Sequence, residues 1–402
     1  MDQSIQQTLQ RAIAAHKDGR LAEAEADYLR ILEEKPDDPN ALNFLGMLRF
    51  HQGNQVEAER LLRRSVEVLP DNPHARVNLG NVLMVGDDYE GAHREFLRAT
   101  ELAPDLSIAW YNLGVCLRKL QRLHEAAAYL YKALQLDPTN TNAYEPLARL
   151  HMTIGRVQEA IDLYHRWLEV DPDSSIARHM LAALTGQDTP PRADDRYVKD
   201  VFNEFADTFD KTLAMLEYRA PQILADALSE RLGPGAQRDM LDAGCGTGLC
   251  GPLLRPSARR LVGVDLSPKM LDKARVRGVY DELCEQELCA FMRSRPAEFD
   301  VVVSADTLVY FGQLGEAVWA ARTCLREGGI LAFTLERLDG QPAGTAFRLQ
   351  HHGRYGHTEE YVRDVLAAAG FRDVRIGTDV LRYETGQKVH GHVVTAIRSA
   401  SC

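Results

Sequence analysis

Proline recurs every 34 residues through the first part of the chain, and this period constrains the fold more than any other feature of the sequence. The recurring prolines are Pro36, Pro70, Pro104, Pro138 and Pro172. Alanine recurs with the same period, as Ala24, Ala58, Ala92, Ala126 and Ala160. Because proline lacks an N–H group and clashes with the preceding helical turn, it ends a helix. The period therefore predicts five units, each ending in a helix that stops before its proline.

Two further positions repeat in register with these alanines. A small residue stands 12 positions earlier, as Ala12, Gly46, Gly80, Gly114 and Ala148. A large apolar residue stands four positions later, as Tyr28, Leu62, Phe96, Leu130 and Tyr164. Small residues are expected where two antiparallel helices touch, and each such helix pair buries its apolar face only by stacking on the next pair. The sequence predicts an α-solenoid of helix-turn-helix repeats.

This pattern resembles a tetratricopeptide repeat (TPR) array, whose period is 34 residues. We place the array at residues 1–185, with five repeats at about 5–174 and a capping helix after them. The resemblance implies that the concave face, built from the first helix of each repeat, binds a protein or peptide partner. Candidate groove residues are Asn43, His74, Asn78, Tyr111, Asn112, Arg118, Lys119 and Arg149. Two readings stay open for these residues, hydrogen bonding to an extended peptide or solvation of a polar groove.

A polar stretch that contains Pro190-Pro191 separates the array from the second half of the chain. Since two consecutive prolines cannot continue a helix, we assign residues 186–194 to a linker. Residues 195–235 read as helices, with Phe202, Phe205 and Phe209 on one face. These aromatic side chains either pack under the next domain or belong to a lid over a cofactor pocket.

A glycine-rich loop follows a short apolar strand at residues 239–251, which read DMLDAGCGTGLCG. Glycine permits positive φ and lets a ligand approach the backbone closely. A second strand ends in Asp265, and a helix begins just after it. This is the βαβ arrangement in which the second acid binds ribose hydroxyls. Asp242 stands two residues before the first glycine and suits a ligand with an ammonium group.

The segments DAGCGTG and VGVDLSPKML resemble the nucleotide-binding motifs of class I S-adenosylmethionine-dependent methyltransferases. The resemblance implies an α/β Rossmann-like, seven-stranded methyltransferase domain, with residues 195–235 as a helical lid and 236–402 as its core, and S-adenosyl-L-methionine as cofactor. The third strand is expected to end in an acid that reads the adenine, and either Glu287, our choice, or Glu285 fits. The cofactor-binding residues implied are Asp242, Gly244, Cys245, Gly246, Thr247, Gly248, Asp265, Leu266, Met270, Glu287, Leu288 and Ser304.

The whole block from 196 to 398, preceded by its repeats, is similar to a group of predicted bacterial methyltransferases that carry TPR repeats. The shared features are FNEFADTFD, LEYRAP, ADTLVYFG, GRYGHTEEYV and LRYETG. The resemblance places strands at about 299–306 and 329–336, and two late strands near 373–376 and 391–397 complete the sheet.

The acceptor side of the expected site lies beyond the fourth strand. The candidate catalytic residues are Asp306, Tyr310, Arg354 and His357, with Glu336 and Tyr355 nearby. Arg354 is suited to bind a carboxylate or phosphate, and His357 to act as a base near neutral pH. The run 351–357 is read either as an acceptor-binding loop or as the entry to a helix capped by Thr358. No NPPY, Pro-Cys or paired-glutamate motif of other methyltransferases is found, which leaves a small molecule, a carboxylate, a hydroxyl or a protein side chain as acceptor.

Charge and composition exclude further classes. The formal net charge is −11, which argues against sequence-independent nucleic-acid binding. The N-terminus lacks a basic and apolar leader, and no apolar run is long enough to cross a membrane. The seven cysteines are scattered without a CxxC pair, so we expect a cytoplasmic protein without a metal site. Two functions remain: an active methyltransferase, or an interaction scaffold whose second domain binds cofactor without turnover.

Overall fold

The computed structural model describes residues 3–233, 235, 237–342, 344–384 and 386–400. Two compact units follow one another along the chain, Met1–Asp173 and Ser174–Cys402. The first contains helices alone in its described part, and the second combines helices with one sheet. This order confirms the predicted α-solenoid followed by an α/β domain.

Ten helices form the five predicted antiparallel pairs of the first unit. They are α1 (Gln3–Lys17), α2 (Leu21–Glu34), α3 (Pro39–His51), α4 (Gln55–Val68), α5 (Pro73–Val85), α6 (Tyr89–Leu102), α7 (Ser107–Lys119), α8 (Leu123–Leu136), α9 (Tyr144–Thr153, after a short 3-10 turn) and α10 (Val157–Val170). Each second helix ends two residues before its periodic proline. Several of these helices begin after a polar residue whose side chain accepts hydrogen bonds from N–H groups of the first turn. These capping residues include Asp38, Asn54, Asn72 and Asp88.

The small residues stand where the two helices of a pair meet. A Cβ atom added to Gly80 would lie 2.4 Å from the ring of Phe96, and one added to Gly114 would lie 2.7 Å from Leu130 Cγ. Both distances are shorter than a van der Waals contact. The glycines therefore allow the close approach of helices that the sequence predicts.

The second unit begins with helices and continues as an α/β domain. Its helices are α11 (Ser175–Thr185), α12 (Asp195–Phe205), α13 (Phe209–Met215), α14 (Ala220–Leu232), α15 (Gly251–Leu254), α16 (Pro268–Arg277), α17 (Leu288–Ser294), α18 (Gly315–Cys324) and α19 (Glu359–Ala368). Its strands are β1 (Arg238–Ala243), β2 (Ala258–Asp265), β3 (Glu282–Glu285), β4 (Phe299–Ser304), β5 (Leu325–Arg337), β6 (Phe347–Leu349), β7 (Tyr355–His357), β8 (Phe371–Glu384) and β9 (Gln387–Arg398).

Within the described residues the strands form a single nine-stranded sheet. The order β3-β2-β1-β4-β5 is parallel throughout, and β9 and β8 continue from β5 as antiparallel neighbours. These are the seven strands that the sequence predicts. The other two, β6 and β7, form a small hairpin paired to the last residues of β5. Apolar side chains of both sheet faces are buried against the flanking helices.

The segment around the predicted domain boundary contacts the second unit. His179 Nε2 of α11 donates to the Gly353 carbonyl oxygen at 2.8 Å, and the imidazole ring stacks on Tyr197 with 3.9 Å between ring centroids. In the linker, the Pro191 carbonyl accepts from the N–H groups of Gly312 and Gln313 at 2.9 and 2.7 Å. The helix expected as a cap and the segment expected as a linker therefore both have ordered contacts on the second unit.

In the described part of the chain, no helix combines the length and the apolar character that a membrane crossing requires.

Candidate active site

The glycine loop after β1 forms one wall of the site. Gly244, Gly246 and Gly248 have φ angles of 78°, 53° and 83°. These left-handed conformations favour glycine over any residue with a side chain. A Cβ added to Gly244 would lie 2.2 Å from Thr307 Oγ1, whereas no described atom outside its chain neighbours lies within 4 Å of one added to Gly246. The loop is thus tight at one end and open at Gly246, where a ligand has room.

Asp242 supplies a buried carboxylate at the end of β1. The hydroxyl of Tyr280 donates to its Oδ2 atom at 2.6 Å, and its buried Oδ1 atom has no hydrogen-bond partner among the described residues. Burial raises the pKa of Asp242 to about 7, with the hydrogen bond from Tyr280 acting in the opposite direction. An unpartnered buried oxygen is costly, and a cationic group would satisfy it.

Asp265, at the end of β2, is tied to the same loop. It accepts hydrogen bonds from the N–H groups of Gly246 and Ser267, each at 2.9 Å. Burial raises its pKa, and these two N–H donors partly offset that effect. The second acid of the βαβ motif therefore lies beside the open Gly246.

The structure places the two candidate adenine-reading acids differently. Glu287 caps α17 by accepting from the N–H groups of Cys289 and Ala290, and it pairs with Arg192 at 3.0 Å. Glu285 is exposed and pairs with Lys199 at 2.7 Å. Both acids follow or end β3, on the same edge of the sheet as Asp265.

Several of the predicted cofactor residues have their side chains in the interior. Met270 is fully buried in α16. Leu288 and Ser304 line a small apolar cavity, and the hydroxyl of Ser304 donates to the carbonyl of Ala243 at 2.8 Å. Cys245 is also buried. Any contact of these side chains with a ligand stays a prediction.

The helices α12 and α13 reach the glycine loop through polar contacts. The hydroxyl of Thr247 donates to Asp210 Oδ1 at 2.6 Å, and Arg277 pairs with Asp210 at 2.5 Å. The hydroxyl of Ser267 donates to the side-chain oxygen Oδ1 of Asn203 at 2.8 Å. Phe202, Phe205 and Phe209 are only half-buried and contact one another edge to face. This arrangement favours the lid reading over the packed-core reading.

Asp306 lies just beyond β4, in a left-handed conformation with φ of 50°. Its Oδ1 atom accepts from the hydroxyl of Thr334 at 2.7 Å, and its Oδ2 atom from Arg382 Nη1 at 2.7 Å. Burial raises its pKa, and the charge of Arg382 lowers it.

Glu336, at the end of β5, is the centre of a buried charge cluster. Arg354 Nε donates to it at 2.6 Å, and Arg382 also donates to it. Glu384 joins the cluster by accepting from Arg354 at 2.5 Å and from Arg382 at 2.7 Å. Burial alone would raise the pKa of Glu336, but a hydrogen bond from His352 and the two arginines lower it far below its usual range.

Two of the candidate catalytic residues, Asp306 and Arg354, belong to one charge cluster, whereas His357 does not. Asp306 and Arg354 are joined through Arg382 and Glu336, and the ring of Tyr310 contacts Phe202 of α12 with 5.5 Å between ring centroids. His357 is instead fully buried, with Nε2 bonded to the Gly312 carbonyl at 3.1 Å. Burial lowers the pKa of His357 to about 4, which makes it a weak base.

Sequence reasoning missed several residues of this site. Tyr280, Asp210, Arg382 and Glu384 all contact predicted residues across 30 or more positions of sequence. Two of the quoted segments contain three of them, since Asp210 ends FNEFADTFD and LRYETG contains Arg382 and Glu384.

Among the described residues, no group of three histidine, cysteine, aspartate or glutamate side chains is arranged to hold a metal ion.

The predicted groove residues of the first unit are partly engaged in hydrogen bonds with asparagines of neighbouring repeats. Asn78 donates to Asn43 at 2.9 Å, and Asn112 donates to Asn81 at 2.9 Å, so the asparagines link neighbouring repeats.

Comparison with known families agrees with both halves of this description. A profile described as "Methyltransferase domain" matches residues 241–333. Two profiles described as "Tetratricopeptide repeat" match residues 9–73 and 77–141, and 117–184. The chain carries tetratricopeptide repeats followed by a methyltransferase domain.

Curated relatives match this methyltransferase domain. Human "Methyltransferase-like protein 27" is 37% identical over 113 residues, which are 27% of this chain and 45% of that protein. A "Malonyl-[acyl-carrier protein] O-methyltransferase" of Enterobacter lignolyticus (strain SCF1) is 35% identical over 118 residues, 29% of this chain and 47% of that protein. The enzyme with that name from Geobacter sulfurreducens is 29% identical over 198 residues, 46% of this chain and 73% of that protein. The chain spans about half the length of the first two relatives.

Two solved structures show a limited similarity to part of this chain. MamA 41-end from Desulfovibrio magneticus RS-1 has a TM-score of 0.39 and 19% identity, covering 43% of this chain and 99% of that one. YrrB, titled a TPR protein with an unusual peptide-binding site, has a TM-score of 0.38 and 21% identity, covering 43% of this chain and 89% of that one.

Proposed function

We propose that this protein transfers a methyl group from S-adenosylmethionine to an acceptor, and that its TPR array binds a protein or peptide partner. One observation carries the proposal. The glycine loop folds around a buried Asp242 oxygen without a partner, with open space at Gly246 and Asp265 beside it. A methyl donor with an ammonium group and a ribose fits these groups.

Different residues around the glycine loop would bind different parts of the methyl donor. Asp242 would pair with the ammonium group, and Asp265 would accept from the ribose hydroxyls. Both adenine candidates have partners within the protein, and we favour Glu287 because it is half-buried whereas Glu285 is exposed. The donor supplies an activated methyl group, and the protein contributes proximity and alignment.

The lid contributes by excluding water from the site. Phe202 on α12 contacts Tyr310 on the acceptor side, and Asp210 on α13 holds Thr247 of the glycine loop. Closing an apolar wall over the reacting atoms strengthens electrostatic contacts and prevents hydrolysis of the donor. Asp306, Tyr310 and Arg354 face the acceptor in this proposal, whereas His357 supports the hairpin from within.

The acceptor is a small molecule or a protein. The relatives are named for different methyl acceptors. One is named for an oxygen of malonyl-[acyl-carrier protein], and another, from Bos taurus, for guanine N7 of 18S rRNA. Tethering a partner through the repeats would raise the local concentration of a protein-borne acceptor. It would equally dock the enzyme to a pathway partner while the second unit works on a small molecule.

The ribose anchor tests this proposal. We expect Asp265→Ala to weaken S-adenosylmethionine binding at least tenfold and to lower turnover, because the variant lacks the acceptor for ribose hydroxyls and for the Gly246 N–H. Asp226→Ala, which changes an exposed carboxylate on α14, is the matched control. Unchanged affinity of the folded Asp265→Ala protein, measured by titration calorimetry, would refute the placement of the site.

A further inference from the structure

The charge cluster beside Asp306 is compensated within the protein. Arg382 binds Asp306, Glu336 and Glu384 through its three nitrogens, and Arg354 binds Glu336 and Glu384. The second oxygen of Asp306 is taken by Thr334. The carboxylates that line the acceptor side are therefore occupied by donors of the protein itself.

Three hydrogen-bond donors next to this cluster are open. In the described part of the chain, the hydroxyls of Tyr218 and Tyr310 and the Nη1 atom of Arg354 have no hydrogen-bond partner, and none of the three is a fully buried atom. Burial raises the pKa of both tyrosines, so both hydroxyls keep their protons at neutral pH. The imidazole of His352, which lies beside this cluster, has partners at both nitrogens, Glu336 at 3.2 Å and the Arg354 N–H at 3.4 Å. Among the described residues, the site therefore offers hydrogen bonds to an acceptor molecule but no open base.

The backbone brings these donors to the charge cluster. The turn that carries Tyr218 is held on β8 on both sides of Arg382, because the Arg219 N–H donates to the Leu381 carbonyl at 2.8 Å and the Tyr383 N–H donates to the Leu216 carbonyl at 2.7 Å. Tyr218 and Ala305, the residue before Asp306, pack against the same apolar cluster, which includes Leu381. Tyr310 stands two residues before Gly312, whose carbonyl accepts from His357 of β7, the strand that follows Arg354.

We propose that the methyl acceptor is a carboxylate, held by Tyr218, Tyr310 and Arg354 and methylated on oxygen. This inference rests on the proposed function and names its acceptor class. A carboxylate is nucleophilic at neutral pH without loss of a proton, whereas a hydroxyl or an ammonium group needs a base. His357, the base candidate of the sequence, is fully buried and bonded to the Gly312 carbonyl.

The transfer step balances without an added reagent. A lone pair of the carboxylate oxygen forms the new O–CH3 bond as the methyl carbon–sulfur bond breaks. The electron pair of that bond goes to sulfur, which becomes the neutral thioether of S-adenosylhomocysteine. The product is a methyl ester, and no proton is released or taken up. Donors that hold the carboxylate in line with the methyl group supply the alignment.

The chemistry of the product distinguishes this class of acceptor. The full-length protein is incubated with S-adenosylmethionine labelled with tritium in its methyl group and with the metabolite and protein fractions of a cell extract. Methyl esters release volatile methanol in mild alkali, whereas methyl groups on nitrogen, carbon, ether oxygen or thioether sulfur stay attached. We expect most of the transferred label to become volatile. Label that resists alkali would overturn the carboxylate proposal and leave methyl transfer standing, and no transfer at all would contradict the proposed function.

Single hydroxyl deletions test the residues. We expect Tyr310→Phe and Tyr218→Phe each to raise the amount of active fraction needed for half-maximal rate about tenfold, which is the loss of one hydrogen bond to a charged group. Both should bind S-adenosylhomocysteine with unchanged affinity in calorimetry, which shows that the domain is folded. Tyr131→Phe, on an exposed side chain of the repeats, is the matched control. Unchanged acceptor saturation in both variants would refute the assignment of these donors.

Discussion

Asp242 is the residue whose surroundings most clearly indicate a bound cationic ligand. Its raised pKa, about 7 against an ordinary 3.8, means that the folded protein keeps a proton on Asp242 between about pH 4 and pH 7. The unfolded chain has lost that proton over the same range. Folding stability from this group therefore falls as pH rises through the window. A cationic ligand reverses the preference, because it favours the ionised carboxylate.

This linkage predicts proton release on binding of the donor. At pH 6, titration of the protein with S-adenosylmethionine should release protons, because the ammonium group of the ligand lowers the pKa of Asp242. Calorimetry in two buffers of different ionisation enthalpy measures the number released. Asp242→Asn should abolish the release and weaken binding, while Asp239→Asn, which changes a carboxylate paired with Arg259 on the far end of β1, should keep it. Equal proton release in the Asp242→Asn protein would contradict the assignment.

A second prediction concerns the contact of Gly80 with Phe96. Gly80→Ala should lower the free energy of unfolding by about 1–3 kcal/mol, because the added methyl group overpacks a helix contact of the array. Urea unfolding followed by circular dichroism measures the change. Gly315→Ala, where nothing described stands within 4 Å of a new Cβ, should be close to neutral. Equal stability of the two variants would show that the helices separate without cost.

At this scale, the sequence predicted residues whose role depends on local conformation. The glycines of the loop and of the repeats could be assigned because backbone conformation and helix contact select glycine from near neighbours. The partners of Asp242 and Asp306 could not be assigned. Tyr280 and Arg382 reach them from elements that only the folded sheet brings close, and a single sequence has no periodic signal for such pairs.

Among the elements, α12 and α13 are the ones whose packing suits movement. In the described structure α13 has no buried residue, and Tyr197 is the buried residue of α12. Polar contacts to the glycine loop and to α16 hold these helices, including the Lys273–Asp207 pair at 2.7 Å. Elements with few buried apolar contacts open at low free energy.

The lid contacts predict an effect on ligand exchange. Asp210→Asn removes the charge that pairs with Arg277 and weakens the bond from Thr247, so S-adenosylmethionine should dissociate several-fold faster. Stopped-flow fluorescence measures the dissociation rate. Asp226→Asn on α14 should leave the rate unchanged. If S-adenosylmethionine dissociates from the Asp210→Asn and Asp226→Asn proteins at the same rate, the lid has no part in retaining the ligand.

Strand positions were predictable and strand lengths were not. The predicted late strands covered about residues 373–376 and 391–397, whereas β8 and β9 run over Phe371–Glu384 and Gln387–Arg398. Their extensions carry Arg382, Glu384 and other polar residues that do not alternate with apolar ones. The hairpin of β6 and β7 was not predicted, because its strands have only three residues each and show no recognisable pattern.

For the whole molecule, the division between the two units falls earlier than the linker suggests. The sequence placed the boundary at 186–194 because Pro190-Pro191 ends any helix there. The compact units instead divide at Asp173 and Ser174, since Ala182 and Ala183 of α11 pack on Leu349 and Tyr355. Composition marks where a helix ends, but it does not show which unit that helix packs against.

This division predicts a difference between two truncated chains. A chain that begins at Ser174 should fold and bind S-adenosylmethionine like the full chain. A chain that begins at Gly186 should unfold at a lower temperature, because it lacks α11 and exposes Leu349 and Tyr355. Thermal unfolding followed by circular dichroism compares them. Equal melting temperatures would mean that α11 adds nothing to the second unit.

The central claim is that the second unit binds a methyl donor at the glycine loop. Isothermal titration of the full-length protein with S-adenosylmethionine and S-adenosylhomocysteine tests it most directly. The account predicts that both ligands bind at about one site per chain and that Asp265→Ala weakens both. Absence of binding to either ligand in a folded protein would contradict the account and leave the TPR array as the functional part of the chain.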